Sequence, residues 1–315
     1  MVDSFISNNM KLAIEQAKKG IGHVNPNPLV GAVIVKDGNI IATGYHKIYG
    51  DLHAERNAIK AAGAANCRGA DLFVTLEPCC HTGKQPPCTQ AIIDCQFKRV
   101  FIGSRDPNPL VSGKGIVQLR EAGIEVFTDI LREECDALNP IFFHYITTKT
   151  PYVLLKYAMS VDGLIACHTG NSRWISNEQS RLLVHQEREI YRAIMVGIQT
   201  VLNDDPLLTC RIPQSHNPEY SIRQPIRIVC DSHLRTPLDC QLVQTAQTAP
   251  VIILTTLSES LLKKSTVAIG LRNAGVEIVS VPEKNGHVDL HKAMHILGAK
   301  GIDSIMVEGG GTLNY

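Results

Sequence analysis

The segment Glu77–Cys88 reads EPCCHTGKQPPC and holds three cysteines and a histidine within twelve residues. A second group with reactive side chains, His53-Ala54-Glu55, precedes it in the chain. Zinc takes about four ligands, chiefly thiolate sulfur and imidazole nitrogen, and a catalytic site uses three and leaves the fourth position to water. The two groups together therefore contain enough ligands for a zinc site, and a carboxylate that could move a proton.

The spacing matches part of the motif of zinc nucleobase deaminases, H-x-E followed by P-C-x-x-C. His53 and Glu55 fit the first half, and Cys79 with its preceding proline fits the start of the second half. The second cysteine does not fit, because Thr82 stands three residues after Cys79 and Cys88 stands nine residues after it. The motif alone therefore leaves the ligand set open.

Two less specific explanations compete with a catalytic zinc site. A structural zinc site needs a fourth protein ligand, which Cys80, His81 or Cys67 could supply. Alternatively no metal binds, and the cysteines are packed as small apolar residues. Glu55 alone would ordinarily be explained by its favourable interaction with a helix dipole. The pairing of His53 with Glu55 favours the catalytic site.

Helices and strands alternate along the first half of the chain. Apolar spacing predicts the helices, apolar runs predict the strands, and the pair Asp37-Gly38 between two such runs is typical of a β-hairpin. The predicted helices are 4–19, 53–64, 88–95 and 115–122, and the predicted strands are 29–35, 40–43, 71–76, 99–103 and 124–127. This alternation predicts a three-layer α/β domain over residues 1–147.

A second α/β domain is predicted over residues 148–315. Its strand candidates are a segment beginning at Tyr152 and 193–197, 226–230, 251–255, 276–280 and 304–308, and its helices are 177–191 and 289–299. No G-x-G-x-x-G follows a strand, so the standard dinucleotide-binding motif is absent. The only glycine run, 309–311, is explained equally well by a turn.

Composition restricts the classes of function. A net charge of +1 and a pI near 7.6 argue against a polybasic nucleic-acid or membrane surface. Ten cysteines are too sparse and too scattered for a disulfide scaffold. The first residues lack the pattern of a signal peptide, and no run of 18 apolar residues occurs. We expect a soluble cytoplasmic protein that binds neither nucleic acid nor membrane.

The sequence resembles the bacterial bifunctional riboflavin-biosynthesis deaminase–reductases. The matching stretches, in the family's order, are NPLVGAVIV (27–35), HAE (53–55), VTLEPC (74–79), GKQPPC (83–88), RDPNPLVSGKG (105–115), LKYAMSVDGLIA (155–166) and VEGG (307–310). They cover nearly the whole chain. The resemblance implies an N-terminal cytidine-deaminase-like domain and a C-terminal dihydrofolate-reductase-like domain, with Zn²⁺ and NADPH as cofactors.

The resemblance also implies a ligand set. The zinc ligands would be His53, Cys79 and Cys88, and Glu55 would carry protons between water, the pyrimidine ring and the leaving ammonia. Cys80 stands where the family commonly has serine, which implies that it is a bystander. Helix N-termini and a cation both favour the thiolate form that such ligands need.

Three further residues match the family's substrate pocket. Asn27 would contact the pyrimidine, and His46 and Lys84 would line the same pocket, with Lys84 near the substrate phosphate. The alternatives are that Asn27 forms an ordinary turn and that the other two are solvated loop residues.

In the second domain, the resemblance implies residues for substrate and for NADPH. These are Lys156, Asp204 and Glu308 near the reacting sugar, Arg211 as a candidate phosphate ligand, and Ser172, Trp174, Thr200, Gly309 and Gly310 as cofactor or substrate contacts. Trp174 could instead be packed in the core, and Arg211 could be an ordinary surface ion-pair former. Members of the family continue beyond the glycine run, so we expect this reductase domain to lack its last strands.

The implied function is deamination of 2,5-diamino-6-ribosylamino-4(3H)-pyrimidinone 5′-phosphate, followed by NADPH-dependent reduction of the ribosyl group to ribityl. The resemblance also makes a homodimer or homotetramer plausible. One alternative is a deaminase of tRNA or of free nucleosides with an inactive or unrelated second domain. Another is a non-catalytic binding protein that zinc stabilises through four protein ligands.

Overall fold

The computed structural model describes residues 4–83, 85–168, 174–310 and 313. The chain divides into two compact units, Met1–Thr148 and Lys149–Tyr315. None of the helices in the described part of the chain is both long and apolar enough to cross a membrane.

The described residues of the first unit form twelve elements. In chain order they are α1 (Ser4–Lys18), β1 (Gly31–Lys36), β2 (Asn39–Tyr45), α2 (Ala54–Ala62), α3 (Ala64–Cys67), β3 (Asp71–Leu76), α4 (Cys88–Asp94), β4 (Arg99–Ser104), α5 (Lys114–Glu121), β5 (Glu125–Phe127), α6 (Arg132–Asp136) and α7 (Pro140–Thr148).

The five strands form one sheet in the order β2-β1-β3-β4-β5. β1 is antiparallel to β2 and β3, whereas β4 is parallel to β3 and β5. Alternate strand residues face opposite sides, because successive side chains of a strand point in opposite directions. Ile34, Leu72 and Ile102 pack towards α2, α4 and α5, and Val33 and Phe73 pack towards α1 and α6. The predicted three-layer α/β architecture is confirmed.

The predicted hairpin joins β1 and β2. Asp37 and Gly38 both have positive φ, 51° and 78°, and lie between the paired residues Lys36 and Asn39. Two central residues with positive φ match the right-handed twist of the flanking strands. The Asp-Gly signal in the sequence was therefore sufficient to locate this turn.

The second unit contains fourteen elements in its described part. They are β6 (Tyr152–Leu155), α8 (Glu178–Ile190), β7 (Ala193–Gly197), α9 (Ile198–Asp204), β8 (Ile226–Cys230), α10 (Gln241–Gln244), β9 (Val251–Thr255), α11 (Glu259–Leu262), α12 (Thr266–Asn273), β10 (Glu277–Ser280), β11 (Glu283–Lys284), β12 (His287–Val288), α13 (Leu290–Ala299) and β13 (Ser304–Gly309).

Six of these strands form a parallel sheet in the order β10-β9-β8-β7-β13-β6. A core cluster that includes Ile194, Val229 and Ile253 covers one face, and a cluster that includes Met195 and Ile305 covers the other. The carboxyl ends of parallel strands meet at one edge of a sheet, which is where ligands of such folds bind.

Several short elements were not predicted. They are α3, α6, α7, α9, α10, α11, α12 and the β11–β12 ribbon. Most of these helices span one or two turns, too few for a helical repeat to stand out. The strand that was predicted to begin at Tyr152 ends at Leu155, since the backbone then turns and Ser160 N donates to the Leu164 carbonyl.

Candidate functional site

Three side chains of the first unit converge on one point. His53 immediately precedes α2, Cys79 follows β3, and Cys88 is the first residue of α4. Nδ1 of His53 lies 3.5 Å from Sγ of Cys79 and 3.4 Å from Sγ of Cys88. The ligand atoms of all three residues lie within 4.8 Å of one another.

The donor set and its spacing fit a zinc ion. Zn–S bonds of about 2.3 Å and Zn–N bonds of about 2.0–2.1 Å in a tetrahedral arrangement separate nitrogen from sulfur by about 3.5 Å. Both nitrogen–sulfur distances at His53 agree with that value. The geometry also identifies Nδ1 of His53 as the nitrogen that would bind the metal.

The residues considered as a fourth ligand lie outside this group in the described part of the chain. Cys80 directs its thiol to the Leu110 carbonyl, 3.7 Å away. Cys67 is buried in the core beside Cys95, and burial raises the pKa of its thiol to about 11. His81 lines the adjoining cavity instead. The arrangement has three protein ligands, as a catalytic zinc site does.

The two cysteines differ in acidity. The hydrogen bond from Cys88 lowers the pKa of the Cys79 thiol, and His53 lowers it further against the effect of burial. The same hydrogen bond, together with burial, raises the pKa of Cys88. Zinc requires both sulfurs as thiolates, so metal binding must release protons from this pair.

Glu55 lies in the first turn of α2 and is only 3% exposed. Burial raises the pKa of its carboxyl group, and the charge of Cys79 raises it further. Its carboxylate interacts with the Cys88 thiol but does not belong to the ligand group. Glu55 lines the same cavity as His53 and Cys79. A buried carboxyl group beside a metal site, but not ligating, can accept and return a proton.

Close packing of α2 on β2 positions His53 and Glu55. A Cβ atom on Gly44 would lie 2.4 Å from the backbone nitrogen of Ala58, so only glycine allows this approach. Asn57 of α2 also donates to the Tyr45 carbonyl at 2.8 Å. The start of α2 is therefore held against the sheet.

Glu77 anchors the turn that carries the cysteines. Its buried carboxylate accepts hydrogen bonds from the backbone nitrogens of Gly113 and Gly115 at 3.1 Å and of Ile116 at 3.3 Å. These nitrogens belong to the start of α5, where the helix leaves N–H groups without intrahelical partners. Glu77 was not predicted as a site residue, although its position two residues before Cys79 was a usable signal.

A cavity of ≈ 290 Å³ is lined by two of the three ligand residues, His53 and Cys79. Asn27 and His46 line it, and Nδ2 of Asn27 lies 3.1 Å from Nε2 of His46. His46 is 2% exposed, and burial lowers its pKa. The structure thus brings Asn27 and His46 into the same pocket as Glu55. Lys84 lies outside the described residues.

Other residues that line this cavity were not predicted from the sequence. Phe142 and Tyr145 of the unpredicted helix α7 line it, as does Asp106. Burial raises the pKa of Asp106 to about 6. Asn139, just before α7, holds Leu29 through hydrogen bonds of 2.7 and 2.9 Å. The Asn-Pro pair at the start of α7 was a helix-start signal that could have located this wall.

In the second unit, Glu308 near the end of β13 forms an ion pair with Arg188 of α8. Nε and Nη2 of Arg188 donate to the two carboxylate oxygens at 2.6 and 2.7 Å. Arg188 was not identified from the sequence, because an arginine on an amphipathic helix has no distinguishing pattern. His185 accepts a hydrogen bond from the backbone nitrogen of Arg211 at 3.2 Å, so Arg211 lies near the same helix.

The other candidates of this unit lie in different settings. Lys156 follows β6 and donates its backbone N–H to the Val307 carbonyl, while Thr200 and Asp204 lie on α9. Trp174 is 71% exposed and stacks against Arg181 at 4.4 Å, so the alternative of core packing is wrong. Ser172 lies outside the described residues.

Gly309, the last residue of β13, and Gly310, which follows it, have positive φ values of 138° and 100°. Side chains rarely adopt such values, whereas glycine does so freely. Gly197, at the end of the neighbouring strand β7, lies beside Gly310. The absence of side chains leaves backbone accessible at the carboxyl edge of the sheet, which suits the close approach of a dinucleotide.

Comparisons with known protein families agree with this division of the chain. Residues 3–104 match the cytidine and deoxycytidylate deaminase zinc-binding region, and residues 151–315 match the RibD C-terminal domain. The riboflavin biosynthesis protein RibD of Actinobacillus pleuropneumoniae is 53% identical over 97% of this chain and 78% of its own length. The Escherichia coli RibD is 40% identical over 96% and 81%.

Solved structures of whole relatives have the same fold. The deaminase/reductase of Thermotoga maritima superposes with a TM-score of 0.84 at 42% identity, over 98% of this chain and 82% of its own. RibD of Acinetobacter baumannii gives a TM-score of 0.85 at 35% identity, with the same coverage. The α/β fold, the zinc-binding deaminase region and the reductase domain are therefore shared, and the chain belongs to the RibD family of bifunctional deaminase–reductases of riboflavin biosynthesis.

Proposed function

We propose that the first unit deaminates 2,5-diamino-6-ribosylamino-4(3H)-pyrimidinone 5′-phosphate. The observation that supports this most directly is the three-ligand group of His53, Cys79 and Cys88, two of which, His53 and Cys79, line the same cavity as the buried Glu55. That arrangement leaves a coordination position for water and provides a proton carrier. The relative from Thermotoga maritima is named for this deaminase activity.

Each residue has a distinct task in the proposal. His53, Cys79 and Cys88 would hold the zinc ion, which would supply a water activated near neutral pH. Glu55 would take a proton from the attacking water and give it to a ring nitrogen, and would then move a second proton, from the hydroxyl group newly added to the ring carbon, to the amino group that departs as ammonia. Burial keeps the Glu55 pKa above its ordinary value, which makes the return of the proton easier.

The pocket of Asn27 and His46 would bind the pyrimidine, and Lys84 would bind the substrate phosphate. The aromatic side chains of α7 would cover the ring, because they form an apolar wall of the same cavity. A mostly apolar cavity with a few placed polar groups is typical of small-molecule sites.

The second unit would reduce the ribosyl group of the deaminated product with NADPH. Lys156, Asp204 and Glu308 would lie near the sugar, and Arg188 joins them through its ion pair with Glu308. Arg211 would bind the phosphate. The cofactor contacts would be Ser172, Trp174, Thr200, Gly309 and Gly310. The hydride chemistry is that of NADPH, and these residues supply binding and orientation.

A deaminase of tRNA or free nucleosides remains the second candidate for the first unit. The match to the cytidine and deoxycytidylate deaminase family describes only the zinc-binding region. That match alone therefore does not distinguish this candidate from a deaminase of the proposed substrate. A net charge of +1 gives no support to RNA binding. RNA binding that weakens steeply with salt would favour this candidate.

The test combines two assays on the whole chain loaded with zinc. The diaminopyrimidinone phosphate is added first and ammonia is measured, and NADPH is then added and its oxidation is followed. We expect ammonia release that is lost in Cys79→Ser and Cys88→Ser together with zinc, while Cys80→Ser, the adjacent matched control, keeps both. Ammonia release from cytidine but not from the phosphate would overturn the proposed substrate.

No disulfide bond links the cysteines in the described part of the chain, which is usual in a reducing compartment, and we propose a cytoplasmic location. We further propose a homodimer or homotetramer. Light scattering at micromolar concentration would contradict this if it gave the mass of a single chain of 34.5 kDa.

A further inference from the structure

The loop between α9 and β8 carries Arg211 and has a backbone conformation that needs support. Asp205 and Leu208 both have positive φ, 39° and 51°. Leucine seldom adopts such values, because its Cβ atom then crowds the backbone, and a residue held there persists only where the surrounding structure enforces it. Contacts with neighbouring elements must therefore hold this loop in shape, and they determine where Arg211 lies.

Two side chains from the region of β8 hold the first part of this loop. Nη1 of Arg227, which is fully buried, donates to the Leu207 carbonyl at 3.1 Å. The side chain of Gln224 accepts from the Cys210 backbone nitrogen at 2.9 Å and donates to the Cys210 carbonyl at 3.1 Å. These contacts fix the loop as far as Cys210.

Helix α8 holds the last part of the loop through His185 and Arg188. These residues are three positions apart, so their side chains lie on the same face of the helix. Nη1 of Arg188 donates to the Thr209 carbonyl at 2.8 Å, and the Cys210 thiol lies 3.1 Å from the His185 carbonyl. The backbone N–H of Arg211 donates to Nδ1 of His185 at 3.2 Å. Three successive residues are therefore bound to one helix, and His185 supplies the contact to Arg211.

The direction of this last hydrogen bond determines which nitrogen of His185 carries the proton. A backbone N–H only donates, so Nδ1 must be bare and Nε2 must carry the proton. The Thr209 carbonyl, which also lies near the ring, already accepts from Arg188. Burial lowers the pKa of His185 to about 4, and the positive charges of Arg188 and Arg211 contribute to this shift. At neutral pH the ring is therefore an uncharged acceptor.

We propose that His185 is a positioning residue, which holds the backbone of Arg211 so that the guanidinium group can bind the 5′-phosphate of the substrate of the second unit. The inference rests on the proposed reduction of the deaminated product and deepens it. Arg211 is exposed, and its Nη1 donates to Oγ1 of Thr209 at 2.9 Å, so the guanidinium lies beside the loop that α8 holds.

The geometry of arginine explains why this support matters. A guanidinium group binds phosphate through a planar fork of N–H donors, and the fork must approach the oxygens in a defined orientation. Without the acceptor on His185, the backbone N–H of Arg211 loses its partner and the fork loses its fixed base. The contribution of His185 should therefore appear only with a substrate that carries the phosphate.

The test compares two substrates and five proteins. The substrates are the deaminated product with its 5′-phosphate and the same compound without it, and NADPH oxidation by the whole chain is followed. The proteins are the wild type, His185→Leu, His185→Asn, Arg211→Met and the double variant His185→Leu/Arg211→Met. Leucine and asparagine have nearly the same shape, but only the asparagine Oδ1 can accept a hydrogen bond at the position of Nδ1.

We expect His185→Leu to lower kcat/KM for the phosphorylated substrate by about tenfold, chiefly through a higher KM, because a backbone donor loses its partner. The kcat/KM for the unphosphorylated compound should not change, and His185→Asn should recover most of the loss. Arg211→Met should remove most of the preference for the phosphate, and His185→Leu should then add nothing, since both changes act through one contact.

The same loss with both substrates would indicate a purely structural role and would overturn the inference. A loss in His185→Asn as large as that in His185→Leu would also overturn it. ¹⁵N NMR of histidine-labelled protein gives a readout that does not depend on activity. The signals that His185→Asn removes should show a ring that is bare at Nδ1 and protonated at Nε2 at neutral pH, and the opposite tautomer or a charged ring would overturn the inference.

Failure of the proposed function would give a different pattern. If neither substrate led to NADPH oxidation, or if Arg211→Met kept the full preference for the phosphate, the proposed function or the proposed role of Arg211 would be wrong, and the inference would fall with it. A preference for the phosphate that Arg211→Met removes but His185→Leu leaves unchanged would overturn the inference alone.

Discussion

Arg188 and Glu308 face each other through two parallel hydrogen bonds of 2.6 and 2.7 Å. Their side chains are 10% and 6% exposed, and Arg188 also donates to the Thr209 carbonyl. The bidentate arrangement is the strongest form of such a pair. It joins α8 to the carboxyl end of β13, so the charge of Glu308 is balanced by an arginine from another element.

Replacement of Arg188 alone should lower the free energy of unfolding more than replacement of both Arg188 and Glu308. Arg188→Met leaves the Glu308 carboxylate buried without a partner, and we expect a loss of about 3–5 kcal/mol in the free energy of unfolding of the second unit. The double variant Arg188→Met/Glu308→Leu should recover much of it. Trp174 is the only tryptophan, so its fluorescence during urea unfolding reports on this unit. Equal losses in the single and double variants would contradict the pairing.

Glu77→Gln should weaken the metal site without removal of a ligand. The variant replaces one of two accepting oxygens with an NH2 group that faces backbone N–H donors at the start of α5. We expect a loss of about 1–3 kcal/mol in stability and about tenfold or more in zinc affinity. Competition with a chromophoric chelator measures the affinity. Glu121→Gln, at the exposed end of the same helix, is the matched control and should bind zinc like the wild type.

Asp106 should make the metal-free first unit less stable as the pH rises. Its pKa is raised from 3.8 to about 6, chiefly by burial, so the folded chain retains a proton that the unfolded chain releases in this window. Folding stability therefore falls between about pH 4 and pH 6, by about 2–3 kcal/mol at most. Asp106→Asn keeps an oxygen to accept the Asn108 N–H and should remove this part of the pH dependence. Urea unfolding at pH 4.5 and 7 in EDTA checks this, and an unchanged pH dependence in the variant would exclude Asp106 as its source.

The sequence predicted the elements that long apolar runs define. β3, β7, β8 and β9 have the predicted boundaries, because buried strands of a parallel region consist almost wholly of apolar residues. The predictions failed where tertiary contacts decide the structure. α7 is rich in aromatic and β-branched residues, which disfavour an isolated helix, and its packing at the cavity stabilises it.

The candidate site residues also divide into those that sequence spacing reveals and those that only tertiary contacts reveal. His53, Glu55 and Cys79 have informative spacing, and the resemblance to a family was needed to choose Cys88. Arg188 and Asp106 have no such pattern, because their importance depends on a partner or on burial that only the folded chain provides. The contact between His46 Nδ1 and the Leu52 carbonyl is equally invisible in the sequence, since only folding brings the two atoms together.

Ammonia release by Glu55→Gln tests most directly whether Glu55 carries the protons of a zinc-dependent deamination. The substitution keeps the shape of the side chain and removes its proton-carrying group. The diaminopyrimidinone phosphate is the substrate, and zinc is measured on wild type and variant. We predict a loss of at least about a hundredfold in kcat with zinc retained, as expected for a residue that transfers protons but does not bind the metal. An unchanged rate would contradict the mechanism, and a loss of zinc with the activity would make Glu55 a ligand instead.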